Sequence, residues 1–160
     1  MAEILSTLPG SDPVAIAKRR DERIARVDAL NTRCLEQLRP YAGTPVLAAA
    51  MQEEFVGWTG MKVTASYGRG EDMNPGTLMS LARESKASGV RIVIDNMQSG
   101  GEAGEPLARE LNATHIAFSN FPGSSPEVPT YESLVEHNCS LLLEALKKQS
   151  AGAKQGLPTS

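Results

Sequence analysis

Gly89-Val90-Arg91-Ile92-Val93-Ile94-Asp95-Asn96-Met97-Gln98-Ser99-Gly100-Gly101 is the stretch whose reading decides the fold. Val90, Ile92, Val93 and Ile94 make a near-continuous β-branched run, the pattern of a strand covered on both faces rather than one. The run stops abruptly at Asp95 and Asn96, and the polar and glycine residues beyond them read as a loop. In an open α/β sheet, ligands bind outside the carboxyl ends of the strands. The same stretch therefore points to a fold and to a place in it where function would reside.

Working outward, the segments on either side alternate between helical and strand patterns. Ala2 to Leu8 reads as the end of a helix, followed by a turn at Pro9-Gly10-Ser11-Asp12-Pro13. Asp12 as cap and Pro13 as first residue predict a long helix from about Pro13 to Leu38. Its apolar face is expected at Ile24, Val27, Asn31, Cys34 and Leu38, widened by Leu30 and Leu35. Val46 to Ala50 reads as a first strand running into a helix from Met51 to about Thr59, which Gly60 ends. Met61 to Tyr67 is a second strand, and Asn74 caps a helix that starts at Pro75 and ends near Gly89. The central strand, Val90 to Ile94, comes next. A helix from Ala103 to Leu111 follows, and it tolerates Pro106 only in its first turn. Thr114 to Phe118 is a fourth strand, and Ser119 to Pro129 is a long loop. Tyr131 to about Lys148 is the last helix, its apolar face interrupted by Asn138.

A helix followed by four strand–helix units predicts an α/β fold: a four-stranded parallel sheet flanked by helices and preceded by a long backbone helix. The expected organisation is a helical segment over 1–40, an α/β lobe over 41–148 and a disordered tail over 149–160. Three loops should emerge at one sheet edge, at Ala49–Met51, Asp95–Gly101 and Ser119–Ser125.

The composition removes several classes of function. With 160 residues the chain is long enough for one domain with a real core. Three Phe, three Tyr and one Trp oblige that core to be mostly aliphatic. A net charge of −3 offers no basic surface for nucleic acid. No apolar run reaches the length of a membrane span. Met1-Ala2-Glu3 does not start a signal peptide, which a naturally secreted chain would need and an excised domain would not. Cys34 and Cys139 both fall in predicted helices. They read as two partly buried free thiols, or as a disulfide if their helices are adjacent. With only His115 and His137 beside them they form no metal motif. Gly68 to Gly76 matches neither a dinucleotide fingerprint nor a P-loop, and no nucleophile elbow or HExxH is present. The enzyme candidates are Asp95 with His115 or with Ser99. Placing Asp95 and His115 at opposite ends of their strands separates them by about 15 Å, at about 3.3 Å per residue, which argues against a dyad.

Several short matches together carry a family resemblance. Gly60-Met61-Lys62-Val63, followed by Gly70-Glu71-Asp72-Met73-Asn74-Pro75-Gly76, resembles the "GL-x-V … GEDPSP" stretch of the zinc/manganese solute-binding proteins of ABC transporters. Lys86 to Ile94 is similar to that family's "E-x-G-V-K-V-I-F" strand, Pro13–Leu38 to its backbone helix, and Leu141 to Leu146 to its closing helix. The resemblance spans roughly residues 2–148 and corresponds to the carboxyl-terminal lobe alone. It implies two α/β lobes with Zn²⁺ or Mn²⁺ between them, a missing amino-terminal lobe and a transporter permease as partners, and a periplasmic or extracytoplasmic location for the full receptor.

The resemblance also implies a degenerate site. The family's histidine after the first strand of this lobe falls on Ala49 or Ala50, and Met51 offers only a thioether. Asp95-Asn96 occupies the next ligand position, and Asn120 stands where an aspartate is usual. Asp95 and Asn120 are the metal-ligand candidates, and Asp95, Asn96, Gln98, Ser119 and Asn120 are the residues expected to line the cleft. The plainer roles are local: Asp95 and Asn96 satisfying loop donors, Asn120 forming a turn before Pro122, and His115 and His137 structural or solvated. The functional expectation is a non-enzymatic substrate-binding lobe with an altered metal site. The alternative is a solute-binding or protein-interaction domain that has lost the metal and pairs with a second copy of itself.

Overall fold

The computed structural model describes residues 2–155. Its elements in chain order are α1 (Ala2–Ser6), α2 (Pro13–Leu38), β1 (Pro45–Ala49), α3 (Glu53–Trp58), β2 (Lys62–Tyr67), α4 (Pro75–Ala87), β3 (Ile92–Asn96), α5 (Glu105–Leu111), β4 (Thr114–Phe118) and α6 (Tyr131–Gln155). The four strands form one sheet of order β2-β1-β3-β4, parallel at every pairing. The architecture is the expected one, a parallel sheet between helices preceded by the long helix α2.

Local chemistry sets the helix starts. The Asp12 carboxylate accepts from the backbone N–H of Val14 at 3.0 Å and of Ala15 at 3.1 Å, with Pro13 in the first turn. Asn74 does the same for α4, accepting from Thr77 N–H at 3.0 Å. Each cap contributes about 1 kcal/mol. Pro106 sits in the first turn of α5, where its missing N–H costs nothing.

The two central strands, β1 and β3, are buried on both faces, which is why they read as continuous apolar runs. Val46, Ala48, Ile92, Ile94 and Phe118 pack with Leu30, Cys34 and Leu38 of α2 and with Val135, Cys139 and Leu142 of α6. Leu47, Ala49, Val93 and Tyr67 pack on the other face with Leu107, Ala108 and Leu111 of α5. Each fully buried Leu or Ile contributes about 1.5–3 kcal/mol relative to exposure. The β1–β2 register slips between Val46 and Leu47, leaving Thr64 without a partner position. The Thr64 hydroxyl compensates by donating to the Val46 carbonyl at 3.1 Å.

Three boundaries differ from expectation. The central strand starts at Ile92 and runs through Asn96, because Gly89 and Val90 finish the turn out of α4, Val90 N–H donating to Ser85 O at 2.9 Å. The last helix continues to Gln155, so residues 149–155 of the expected tail are helical; the rest of that tail, 156–160, lies outside the described residues. Gln149 helps explain the extension: its amide donates to Arg91 O at 3.0 Å and to Thr114 Oγ1 at 2.7 Å, fastening α6 to the amino end of the sheet. Within α2 the buried stripe is Leu30, Cys34 and Leu38 only, and Ile24 is 51 % exposed. The helix thus contributes to the core with its second half alone. No helix among the described residues is long and apolar enough to cross a membrane.

Candidate functional site at the carboxyl edge of the sheet

β1 leads to β2 on one side of the sheet and β3 leads to β4 on the other, so the strand order reverses between β1 and β3. That reversal opens a crevice at the carboxyl ends of these two strands. The 3-10 turns Ala50–Gln52 and Met97–Ser99 leave those ends side by side, and the loop after β4 joins them. The three loops expected at one edge are therefore together.

An uncharged hydrogen-bond network fills the centre of this edge. Its hub is Gln52, 1 % exposed. The Gln52 amide Nε2 donates to Asn120 Oδ1 at 2.8 Å and Asn96 Oδ1 at 3.1 Å, with Phe118 O at 3.4 Å. Asn96 Nδ2 donates onward to Ser99 Oγ at 2.8 Å. Gln98 bridges to the third loop, donating to Ser119 Oγ at 2.9 Å and accepting from Asn120 N–H at 2.9 Å. Asn138 of α6 clamps the backbone of Ser119, donating to its carbonyl at 2.9 Å and accepting from its N–H at 3.2 Å. Ser119 Oγ also meets Ser124 Oγ at 2.8 Å. Among the expected cleft residues, Asn96, Gln98, Ser119 and Asn120 all belong to this one network.

Asp95 does not join them. Successive strand residues point to opposite faces, and Asp95 turns toward the α4/α5 side, where it is 2 % exposed. Its Oδ1 accepts from Tyr67 Oη at 2.8 Å, and its Oδ2 accepts from Gly104 N–H at 2.8 Å and faces His115 Nε2 at 2.7 Å. An ionised carboxylate only accepts, so with Asp95 charged the proton sits on Nε2 of His115. Burial, then the Asp95 charge and hydrogen bond, push the Tyr67 phenol far above its ordinary range. Gly104 is required for this arrangement: a Cβ there would meet Val93 Cγ1 at 2.7 Å and the Tyr67 ring carbon Cζ at 2.9 Å.

The expected separation of Asp95 from His115 is thus overturned. His115 pairs in register with Val93, two residues before Asp95 on the same face. Two residues along a strand is about 6.6 Å, which an aspartate and a histidine bridge easily. The error came from starting the central strand at Val90, which put Asp95 too far along it. The contact does not make a catalytic dyad with Ser99. The Ser99 hydroxyl accepts from Asn96, and among the described residues no serine, threonine or cysteine side chain is hydrogen-bonded to His115.

Above Asp95 lies a cavity of about 280 Å³ lined by Ala49, Ala50, Met51, Tyr67, Arg69, Glu71 and Ser99 among others. Where the resemblance would put a histidine, this cavity has methyl groups. Zn²⁺ takes three or four nitrogen, sulfur or carboxylate donors, and Mn²⁺ favours an octahedral, carboxylate-rich shell. Among the described residues no group of three or more His, Cys, Asp or Glu is placed to hold one. Both Asp95 oxygens already accept hydrogen bonds, and the Asn120 carbonyl oxygen accepts from Gln52. The residues present do not fit a tight Zn²⁺ or Mn²⁺ site. Met51, Met97 and Phe121 stand exposed around the network, an apolar rim on a polar floor.

Sequence reasoning missed Gln52. A single Gln after a strand ordinarily reads as a solvated loop residue. Only the 3-10 turn, which brings it back under the loops, reveals its place. Asn138 carried a better signal, as the polar residue interrupting the apolar face of α6.

No family model matches the sequence, and neither does any curated protein. Solved structures do match. The SBP FpvC of Pseudomonas aeruginosa in complex with Mn²⁺ superposes with a TM-score of 0.74 at 18 % identity, over 92 % of this chain and 55 % of that one. FpvC in complex with Ni²⁺ gives 0.72 at 16 %, over 99 % and 58 %. A Cd-bound periplasmic metal binding protein from Candidatus Liberibacter asiaticus gives 0.73 at 13 %, over 91 % and 57 %. At such identities the likeness is one of fold. The chain spans somewhat more than half the length of the structures it matches.

Proposed function

We propose that this chain is the carboxyl-terminal lobe of a two-lobed solute-binding protein serving an ABC-type transporter, with its share of the metal site degenerate. In this reading residues 1–40 are the helical segment that links the lobes, residues from 41 onward are the lobe, and the full receptor works outside the cytoplasm beside a permease. The single observation that carries the proposal is the donor set at the β1/β3 crevice. Open α/β sheets bind ligands at such a crevice, and this one offers amides and hydroxyls around Gln52 where a metal receptor needs imidazole and carboxylate. Its chemistry suits an uncharged or weakly charged solute held by hydrogen bonds. Asn96, Gln98, Ser119 and Asn120 would line the cleft, with Asp95 beneath it as a support. Binding is the role this reading assigns, with the Asp95–His115 contact serving as a structural link between β3 and β4.

Calorimetric titration with Zn²⁺ and with Mn²⁺ tests this, on the chain joined to whatever lobe precedes it in the full protein. No binding tighter than about millimolar is expected. Micromolar binding that weakens on Asn120→Ala would overturn the degenerate site.

The exposed rim of Met51, Met97 and Phe121 favours a second reading, a domain that pairs through this face with a second copy. Sedimentation at high concentration distinguishes them: a monomer rules out the pairing.

A further inference from the structure

We propose that Cys34 and Cys139 are a disulfide-forming pair that cross-links α2 to α6. The inference stands on the contact between these two helices and is independent of the solute reading above. Both cysteines are 4 % exposed and belong to the same core cluster. Each belongs to a buried stripe of its helix: Leu30, Cys34 and Leu38 on α2, and Val135, Cys139, Leu142, Ala145 and Leu146 on α6. The two helices run in the same direction, since each lies antiparallel to the strands it covers. Arg23 pairs with Glu132 and Arg33 with Glu136, the latter at 2.9 Å, so both helices advance in one direction along their contact, and the Cys34 and Cys139 thiols lie close enough to interact within the shared core. Small side chains facing each other at a helix crossing allow the close backbone approach that a disulfide needs.

The thiols act on each other directly. Burial drives both pKa values up, and Cys34 raises that of Cys139 further. In the packed protein both thiols are therefore protonated at neutral pH and poor nucleophiles. The bond should form readily while the chain folds and slowly once α2 and α6 have closed over it.

The oxidant is a small or protein disulfide, for which oxidised glutathione serves as the probe. The Cys34 thiolate attacks one glutathione sulfur, breaking that S–S bond and releasing one glutathione thiolate. The Cys139 thiolate then attacks Cys34 Sγ and expels the second. The protein loses two electrons, the glutathione disulfide gains them, and the two cysteine protons end on the two glutathione thiols.

The test is refolding of the chain in a buffer of oxidised and reduced glutathione, followed by intact mass measurement and peptide mapping without reduction. The expected result is a monomer lighter by two hydrogens, with one peptide pair joined through Cys34 and Cys139. A urea midpoint higher in the oxidised than in the reduced protein is expected with it, because the bond closes a long loop of the unfolded chain. That difference should vanish in Cys34→Ser. Two thiols still titratable in denaturant after oxidation, cross-linking only between molecules, or a midpoint that falls on oxidation would each overturn the proposal. The wild-type comparison needs no variant to fold.

Discussion

Asp95→Ala separates a structural carboxylate from a spare ligand. The substitution removes the acceptor of three donors at once. Gly104 N–H is buried and has no other acceptor within its turn, so leaving it unpaired costs about 1–3 kcal/mol. Tyr67 Oη keeps the Ile94 carbonyl at 3.0 Å, which limits its loss to about 1 kcal/mol. The His115 side chain is 23 % exposed and recovers part of its loss from water. The sum is about 3 kcal/mol, at the lower end of what breaking a buried pair costs. For a chain of this size that lowers Tm by roughly 6–12 °C. Urea denaturation followed by circular dichroism reads it directly. A residue kept for a ligand and not for the fold behaves oppositely, its removal being neutral or stabilising. A loss under about 1 kcal/mol would refute the reasoning that Asp95 holds β2, β3, β4 and the loop before α5 together.

Gln52→Leu keeps the volume but leaves Asn96, Asn120 and the Phe118 carbonyl without their shared donor; about 2–3 kcal/mol should be lost in urea denaturation. Tyr67 titrates far higher folded than unfolded, so its contribution is complete below about pH 10 and is lost as pH rises beyond it, at up to about 1.4 kcal/mol per unit. Urea midpoints at pH 9 and pH 11 should therefore diverge more in the wild type than in Tyr67→Phe. Ser85 buries a hydroxyl with no partner on the α4 face, and Ser85→Ala should raise stability by up to about 1 kcal/mol in the same assay.

The strands, their order of appearance and the shared loop edge were legible because burial on both faces writes a β-branched run that little else imitates. The helix starts were legible because Asp12 and Asn74 sit one residue before a proline. Register was not legible. The two-residue shift in the start of β3 moved Asp95 from the far end of the strand to His115, and nothing in Gly89-Val90-Arg91 marks where a turn yields to a strand. Asn96, Gln98, Ser119 and Asn120 meet in one network and Asp95 does not, and the connection through Gln52 depends on a 3-10 turn that leaves no sequence signature. Asp95 shows the limit most clearly. Its position after the strand told where it lies, while the face it points to followed only from pairing.

Paramagnetic broadening by Mn²⁺ tests the central claim most directly, since it reports each backbone amide at the crevice. Equimolar Mn²⁺ is expected to leave the amides of residues 49–52, 95–101, 119–121 and 123–125 no more broadened than exposed acidic surface elsewhere. Selective loss of those signals at equimolar metal, reversed by Asn120→Ala, would contradict it and restore a metal to this face.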